Sequence, residues 1–404
     1  MKKIISLLLA LSLCLAFVAC GETTPEVKEP VDGWVCAWGS AMQQVTDSEK
    51  LPKDTPLNEN TFRQVIMPTL GGEKLRLTFS NVFGSIPLQI QEVKIAKLVK
   101  IGSSEIIPET ELSVTFEGAT KINIEAGLEA ITDEIAMNFN AYEPLAVTIK
   151  FGKYIGGAFT GHTFNYQTAW IAEGNQVSAV KFEKPEVSNC AFYLSRMDVW
   201  SKAGTTAVVA LGDSITEGIG ATVDAFSRWP DVLNSINNQN GITNVSVVNM
   251  GIGGQRIEGY NPVSDRIERD LLNIAGVDTC ILLLGTNDIG MAKEDTSQKI
   301  IDAIEEVVKT CKDAGIKIYV GTITPMKNHD YYTAEHEAIR QAVNAHIRKG
   351  EGYDGVIDFD ALFQDPADPE KMKDEYNSPW KDYLHPGDAG YKAMAELAYE
   401  TLNK

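Results

Sequence analysis

The residues with the clearest capacity for chemistry begin where an apolar run ends: Ala207-Val208-Val209-Ala210-Leu211 is followed by Gly212-Asp213-Ser214-Ile215-Thr216-Glu217-Gly218. A serine that leaves a strand for a helix start meets backbone N–H groups and a helix dipole that favour developing negative charge, which suits a nucleophile. Taken alone, the Gly-Asp-Ser turn reads better as a polar N-cap for the helix that follows. Three further polar motifs change that balance. Asn249-Met250-Gly251-Ile252-Gly253-Gly254 follows a second apolar run, Gly285-Thr286-Asn287-Asp288 a third, and Asp382-Tyr383-Leu384-His385-Pro386 lies near the C-terminus. The G-x-S-x-G elbow of α/β-hydrolases is missing around Ser214, which argues against that fold.

These motifs need a scaffold that brings them together. From Thr205 onward, short apolar runs (Ala207 to Leu211, Val245 to Val248, Cys280 to Leu284, Ile316 to Val320, Val356 to Ile357) alternate with helical spacing around Ser297 to Ala314, Thr333 to Arg348 and Ala389 to Leu402. Wholly apolar strands separated by helices predict an α/β half, a doubly wound, flavodoxin-like parallel sheet covered on both faces. In such a sheet a polar motif just after a strand is placed to act. Before that, from Trp34 to about Met197, period-two stretches such as Leu75-Arg76-Leu77-Thr78-Phe79 and Leu145-Ala146-Val147-Thr148-Ile149 predict an all-β sandwich. The expected organisation is a leader over 1–20, a linker over 21–33, a β-sandwich accessory domain over 34–200 and a catalytic domain over 201–404.

The four motifs resemble, in order and at plausible separations, the blocks of the SGNH (GDSL) hydrolase family. The resemblance implies Ser214 as nucleophile and His385 as its general base, with Asp382, three residues earlier on the same turn, holding the imidazole in the right tautomer. It implies an oxyanion hole made from the nucleophile's own N–H, a glycine N–H of the second block and the asparagine amide of the third. Gly254 and Asn287 are assigned to the last two, with Gly253 the competing choice because the chain has Gly-Gly there. Asp213 is expected to brace the nucleophile turn and Asp288 to be a nearby hydrogen-bond partner. The first half, with Trp34-Val35-Cys36-Ala37-Trp38-Gly39-Ser40-Ala41 and Thr61-Phe62-Arg63-Gln64-Val65, looks like the accessory domain of a two-domain GDSL subgroup found in secreted esterases of polysaccharide-degrading bacteria.

Charge and composition narrow the substrate and the location. The 36 Lys and Arg against 55 Asp and Glu give a net charge of -19, a field that repels phosphate backbones and disfavours nucleic-acid binding. Lys2 and Lys3 precede the apolar stretch Ile4 to Val18, too short for an ordinary span, and Phe17-Val18-Ala19-Cys20-Gly21 resembles a bacterial lipobox. Lipidation at Cys20 and anchorage outside the cell membrane are therefore expected. Of the cysteines left, Cys280 and Cys311 read as buried thiols, and a Cys36–Cys190 disulfide is the weaker of the two readings for that pair. No Cys or His cluster has metal-ligand spacing, and the mechanism needs no cofactor.

His162, His329, His336 and His346 are scattered and read as structural or solvated. Trp380 and Tyr383, flanking Asp382, and Tyr331 and Tyr332, after the fourth apolar run, are candidates for stacking on a sugar face or for packing against active-site loops. An acidic chain without a basic amphipathic helix points to an acetylated carbohydrate over a phospholipid. The alternatives are a lysophospholipase or broad arylesterase, and a non-catalytic carbohydrate-binding surface protein.

Overall fold

The computed structural model describes residues 31–45, 56–153, 158–259 and 262–404; the expected leader with Cys20, and nearly all of the linker, lie outside them. Up to Ser201 the described strands are antiparallel. Gly33–Gly39, Leu194–Ser201 and Gly72–Ser80 lie side by side, with Glu129–Ile131 and Ile135–Phe139 both paired to Gly72–Ser80. A larger sheet runs Glu186–Ser188, Ala169–Ala172, Thr61–Ile66, Leu145–Phe151, Leu88–Lys97 and Leu112–Val114, with Ile122–Ile124 also on Leu88–Lys97. Phe159–His162 pairs with Gln43–Val45 on one side and Ala191–Phe192 on the other.

Alternation accounts for how the sheets bury their faces. In Ile135–Phe139, Ile135, Met137 and Phe139 are buried while Ala136 and Asn138 are exposed. Leu75, Leu77 and Phe79 of one sheet share a core with Phe62, Ile95, Val147 and Ile149 of the other, each such side chain contributing about 1.5–3 kcal/mol on burial. The far face of the larger sheet is covered by loops around a fully buried Arg63. Its guanidinium donates to Thr148 Oγ1 at 2.7 Å and to the Ala179 carbonyl at 2.8 Å, and lies 4.3 Å from the Phe182 ring centre.

Beyond the turn at 202–205 the strands become parallel. Thr206–Gly212, Val245–Gly251, Val277–Leu283, Lys317–Gly321 and Gly355–Ile357 overlap the five expected runs and lie in the spatial order second, first, third, fourth, fifth. In Thr206–Gly212, Ala207, Val209 and Leu211 share a core with Ile300, Ile304 and Val308 of the helix Ser297–Asp313. Val208 and Ala210 pack instead with Trp229 and Leu233 of Trp229–Gln239 and with Tyr391 and Met394 of Asp388–Leu402. Both faces of this strand are covered, which accounts for its unbroken apolar run.

The helix Trp229–Gln239 is an addition to the helical stretches read from spacing. Its pattern is masked by Asn234, which is buried because its amide donates to and accepts from the Val247 backbone, each at 2.7 Å. The strand Gly33–Gly39 packs on Val245–Gly251, and the Cys36 N–H donates to the Ala275 carbonyl at 2.9 Å, so one apolar core runs through both halves. Cys36 and Cys190 are separate buried thiols, so the weaker, disulfide reading of the pair does not hold: each sits in its own packing environment, Cys36 Sγ on the Trp38 carbonyl and Cys190 Sγ on that of Thr163.

Candidate active site

The strand order reverses between Thr206–Gly212 and Val277–Leu283, and ligand sites in open parallel sheets lie at that switch, outside the carboxyl ends. Ser214 opens the short helix Ser214–Glu217 directly after the first of these strands. Asp213 caps it, accepting from the Ile215 N–H at 3.0 Å. Burial pushes the Asp213 pKa up to about 7, against the Ile215 N–H and the nearby His385, which lower it. Below the turn, buried Arg266 donates to the carbonyls of Gly212 (3.0 Å) and Met250 (2.8 Å), to Gln255 Oε1 (2.9 Å) and to Asp270 (3.1 Å), tying two strand ends together.

His385 and Asp382 arrive from the loop before the last helix. His385 Nε2 lies 2.9 Å from Ser214 Oγ, and His385 Nδ1 lies 2.7 Å from Asp382 Oδ2. The same oxygen accepts from the Trp380 indole N–H at 2.8 Å. Asp382 Oδ1 accepts from the N–H groups of His385 (2.9 Å) and Leu384 (3.0 Å) and from the Ser378 hydroxyl (3.2 Å). Burial works to raise the Asp382 pKa, but the ring and backbone N–H of His385 and the N–H of Leu384 outweigh it and hold the carboxyl well below the usual range. An ionised Asp382 only accepts, so Nδ1 of His385 carries the proton and Nε2 turns its lone pair to the serine hydroxyl. Such an arrangement can deprotonate Ser214 as it attacks a carbonyl.

Asn287 is buried in the helix Thr286–Gly290, just beyond the carboxyl end of Val277–Leu283, the strand paired with the nucleophile's own. One amide hydrogen goes to the Gln255 carbonyl at 3.0 Å and Oδ1 accepts from the Tyr331 hydroxyl at 3.3 Å, which fixes the amide's orientation and leaves its second N–H for a ligand. Gly254 has φ 73° and is exposed, with open space where a Cβ would be. Gly253 differs: its N–H faces the buried carboxyl of Glu217. Asp288 accepts from the N–H groups of Ile257 and Glu258, each at 3.0 Å, and so ties the third block to the second.

Residues 210–393, which hold all of these groups, match the model of the GDSL-like Lipase/Acylhydrolase family. They form a GDSL-like lipase/acylhydrolase domain. Similar solved structures include a GDSL-like lipase from Bacteroides thetaiotaomicron, 20% identical, covering 48% of this chain and 87% of that one at a TM-score of 0.38. An acetyl xylan esterase is 20% identical, with 48% and 98% covered at 0.38. The lipase/acylhydrolase from Enterococcus faecalis is 17% identical, with 48% and 94% covered at 0.39. No curated protein matches the chain. That domain makes the protein a hydrolytic enzyme, of the carboxylic ester hydrolase class.

Around the GDSL site the aromatic candidates separate. Trp380 is 58% exposed and touches Asp382 directly, and Tyr331 packs on Gly290 and braces Asn287. Tyr383 lies under the Lys371 ammonium, 5.3 Å from its ring centre. Tyr332 instead donates to Glu370 at 2.5 Å and joins the hairpin Gln364–Asp365 and Asp368–Met372. His336 is held between the carbonyls of Tyr331 and Ala292, His346 pairs with Glu305, and His329 packs edge-on to Tyr331.

Arg266, Gln255 and Ser378 were not singled out from the sequence. Arg266 joins the ends of two strands and Gln255 carries the Asn287 amide, while Ser378 donates to Asp382 four residues on; no apolar run or motif spacing marks any of them. A cavity of about 210 Å³ between the two halves, lined by Trp38, Met67, Tyr142 and Phe226, includes none of Ser214, Asp382 and His385.

Proposed function

We propose that this ester hydrolase is a carbohydrate esterase that removes acetyl groups from plant-type polysaccharides or oligosaccharides, with Ser214, His385 and Asp382 as its triad. His385 takes the Ser214 proton as the hydroxyl attacks, and returns it to the departing sugar oxygen. Water then repeats the cycle on the acyl-enzyme. The oxyanion is met by the Ser214 and Gly254 N–H groups and the free N–H of Asn287. Gly254 is exposed with open space around its α-carbon, whereas Gly253 packs on the buried Glu217 carboxyl, which supports Gly254 over Gly253. Lipidation of Cys20, outside the described residues, would hold the enzyme at the cell surface facing its polymer.

The observation that carries the sugar reading is Trp380, an exposed ring hydrogen-bonded to a triad member, where a pyranose bearing the scissile ester can stack. Among described residues of the GDSL half, the exposed large apolar side chains are Val223, Met291 and Trp380, which gives no continuous face for a lipid surface. The test is acetate release from acetylated xylan together with a matched series of aryl esters. Release from xylan with a preference for acetyl over longer acyl groups is expected. Efficient cleavage of long-chain esters with no acetate from any acetylated glycan would discard the sugar reading in favour of a lysophospholipase or arylesterase.

Asn287→Ala is expected to lower kcat by about 10²–10³, roughly 3–4 kcal/mol of transition-state stabilisation, with KM nearly unchanged, because the amide meets charge that develops only in the transition state. Steady-state kinetics on an aryl acetate checks this.

A further inference from the structure

A buried side chain of the accessory half reaches the nucleophile's helix. His162, at the end of the strand Phe159–His162, is 4% exposed, and its Nε2 lies 3.3 Å from Oε1 of Glu217, which is 1% exposed at the end of the nucleophile's helix. His162 Nδ1 lies 2.8 Å from the Ala41 carbonyl. A carbonyl only accepts, so Nδ1 holds a proton, and a neutral His162 has only a lone pair to offer Glu217 at Nε2. A proton on the carboxyl lets the two groups meet as neutral donor and acceptor. Oε2 lies against Gly253, 2.8 Å from where a Cβ on that glycine would sit, and faces its N–H. Neither oxygen has a hydrogen bond of good geometry, which a neutral acid tolerates far better than a buried ion.

We propose that His162 and Glu217 are positioning residues: a neutral acid–imidazole pair in which His162 of the accessory half holds the Glu217 carboxylic acid against the Gly253 N–H, fixing the turn that presents Gly254 to the oxyanion. The inference rests on the serine-esterase reading given above. It makes the β half part of the catalytic geometry, since the nucleophile helix, the second-block turn and the strand Phe159–His162 meet at one carboxyl. Burial acts in the same sense on both partners. It pushes Glu217 up to about 8, opposed by the Gly253 N–H, and His162 down to about 4, opposed by the Ala41 carbonyl. The charged and titratable groups facing the pair are Arg228, Arg266, Asp213, Asp270, Tyr166 and Tyr391.

Three variants separate the contacts. Glu217→Gln keeps a donor for His162 and an acceptor for Gly253, so kcat and KM should stay within about threefold of wild type, whereas an ionised pair would be broken by the change. His162→Asn keeps the bond to Ala41 and abandons Glu217. Its kcat should fall about ten- to a hundredfold with KM unchanged, the size expected when catalytic donors move by about an ångström. His162→Gln places an acceptor at the Nε2 position and should recover most of that loss.

A second readout is the pH dependence of Tm. Glu217 keeps its proton in the folded state up to about pH 8 and loses it near 4.5 when unfolded, so it stabilises fully below 4.5 and that contribution is lost as pH rises to 8. His162 acts oppositely, but only between about 4 and 6.5. Above pH 6.5, Glu217→Gln should therefore flatten the decline in Tm relative to wild type. Wild-type kcat in His162→Asn, a loss beyond tenfold in Glu217→Gln, or an unchanged Tm slope in Glu217→Gln would overturn the proposal. Full activity in Ser214→Ala would instead overturn the serine reading beneath it.

Discussion

Ser214→Ala should lower kcat on an aryl acetate by about 10⁴- to 10⁶-fold while leaving the protein folded with a Tm close to that of wild type. The catalytic loss follows from the hydroxyl's position 2.9 Å from His385 Nε2 at the carboxyl end of a strand, where no neighbouring group takes over the attack. The fold is spared because the helix start is held by Asp213 on the Ile215 N–H, and Arg266 holds the preceding strand end through the Gly212 carbonyl. Neither bond involves the serine side chain. Activity above background is still expected, since Asn287 and the backbone N–H groups continue to stabilise an oxyanion formed by water attack. A fluorophosphonate probe should label the wild type and fail to label the variant. Labelling of Ser214→Ala, or retention of more than about a hundredth of wild-type kcat, would place the nucleophile elsewhere.

What could be read from residues alone follows from how local each constraint is. The five parallel strands were legible because burial on two faces forces an unbroken apolar run, as in Ala207 to Leu211. The helices Ser297–Asp313 and Asp388–Leu402 were legible from one-sided spacing. Ser214, Asn287, Asp382 and His385 stood out because each follows an apolar strand or lies in a compact polar motif, and the fold brings Ser214, His385 and Asp382 within hydrogen-bond reach of one another. Arg63, Arg266 and the pair of His162 with Glu217 could not be found that way. Each is a polar group whose burial is decided by partners far along the chain: the Ala179 carbonyl for Arg63, the Gly212 carbonyl for Arg266, and a strand of the accessory half for Glu217. Trp229–Gln239 was hidden for a related reason, since the side chain that docks it on Val247 is an asparagine.

Asp382→Asn is the other substitution with a large expected effect, a fall in kcat of about 10³- to 10⁴-fold despite near-identical shape. Five donors converge on this carboxylate: three on Oδ1, from His385 N–H, Leu384 N–H and Ser378 Oγ, and two on Oδ2, from His385 Nδ1 and Trp380 Nε1. An amide has one acceptor oxygen, and the side with two backbone donors claims it. The NH₂ group then faces His385 Nδ1, donor against donor. Relief comes when the imidazole moves its proton to Nε2, the tautomer that cannot accept from Ser214. KM should change little, because the substrate meets neither atom before the serine attacks. Stability at pH 7 should fall as well: a carboxylate held below its ordinary pKa stabilises the fold above its unfolded value near 4, and that contribution is lost as pH falls through the folded value. Wild type and variant should therefore converge in Tm as pH drops below about 4. Retention of more than about a tenth of wild-type kcat in Asp382→Asn would mean that this carboxylate does not set the His385 tautomer. An NMR titration of the His385 ring nitrogens in both proteins would then show which group does.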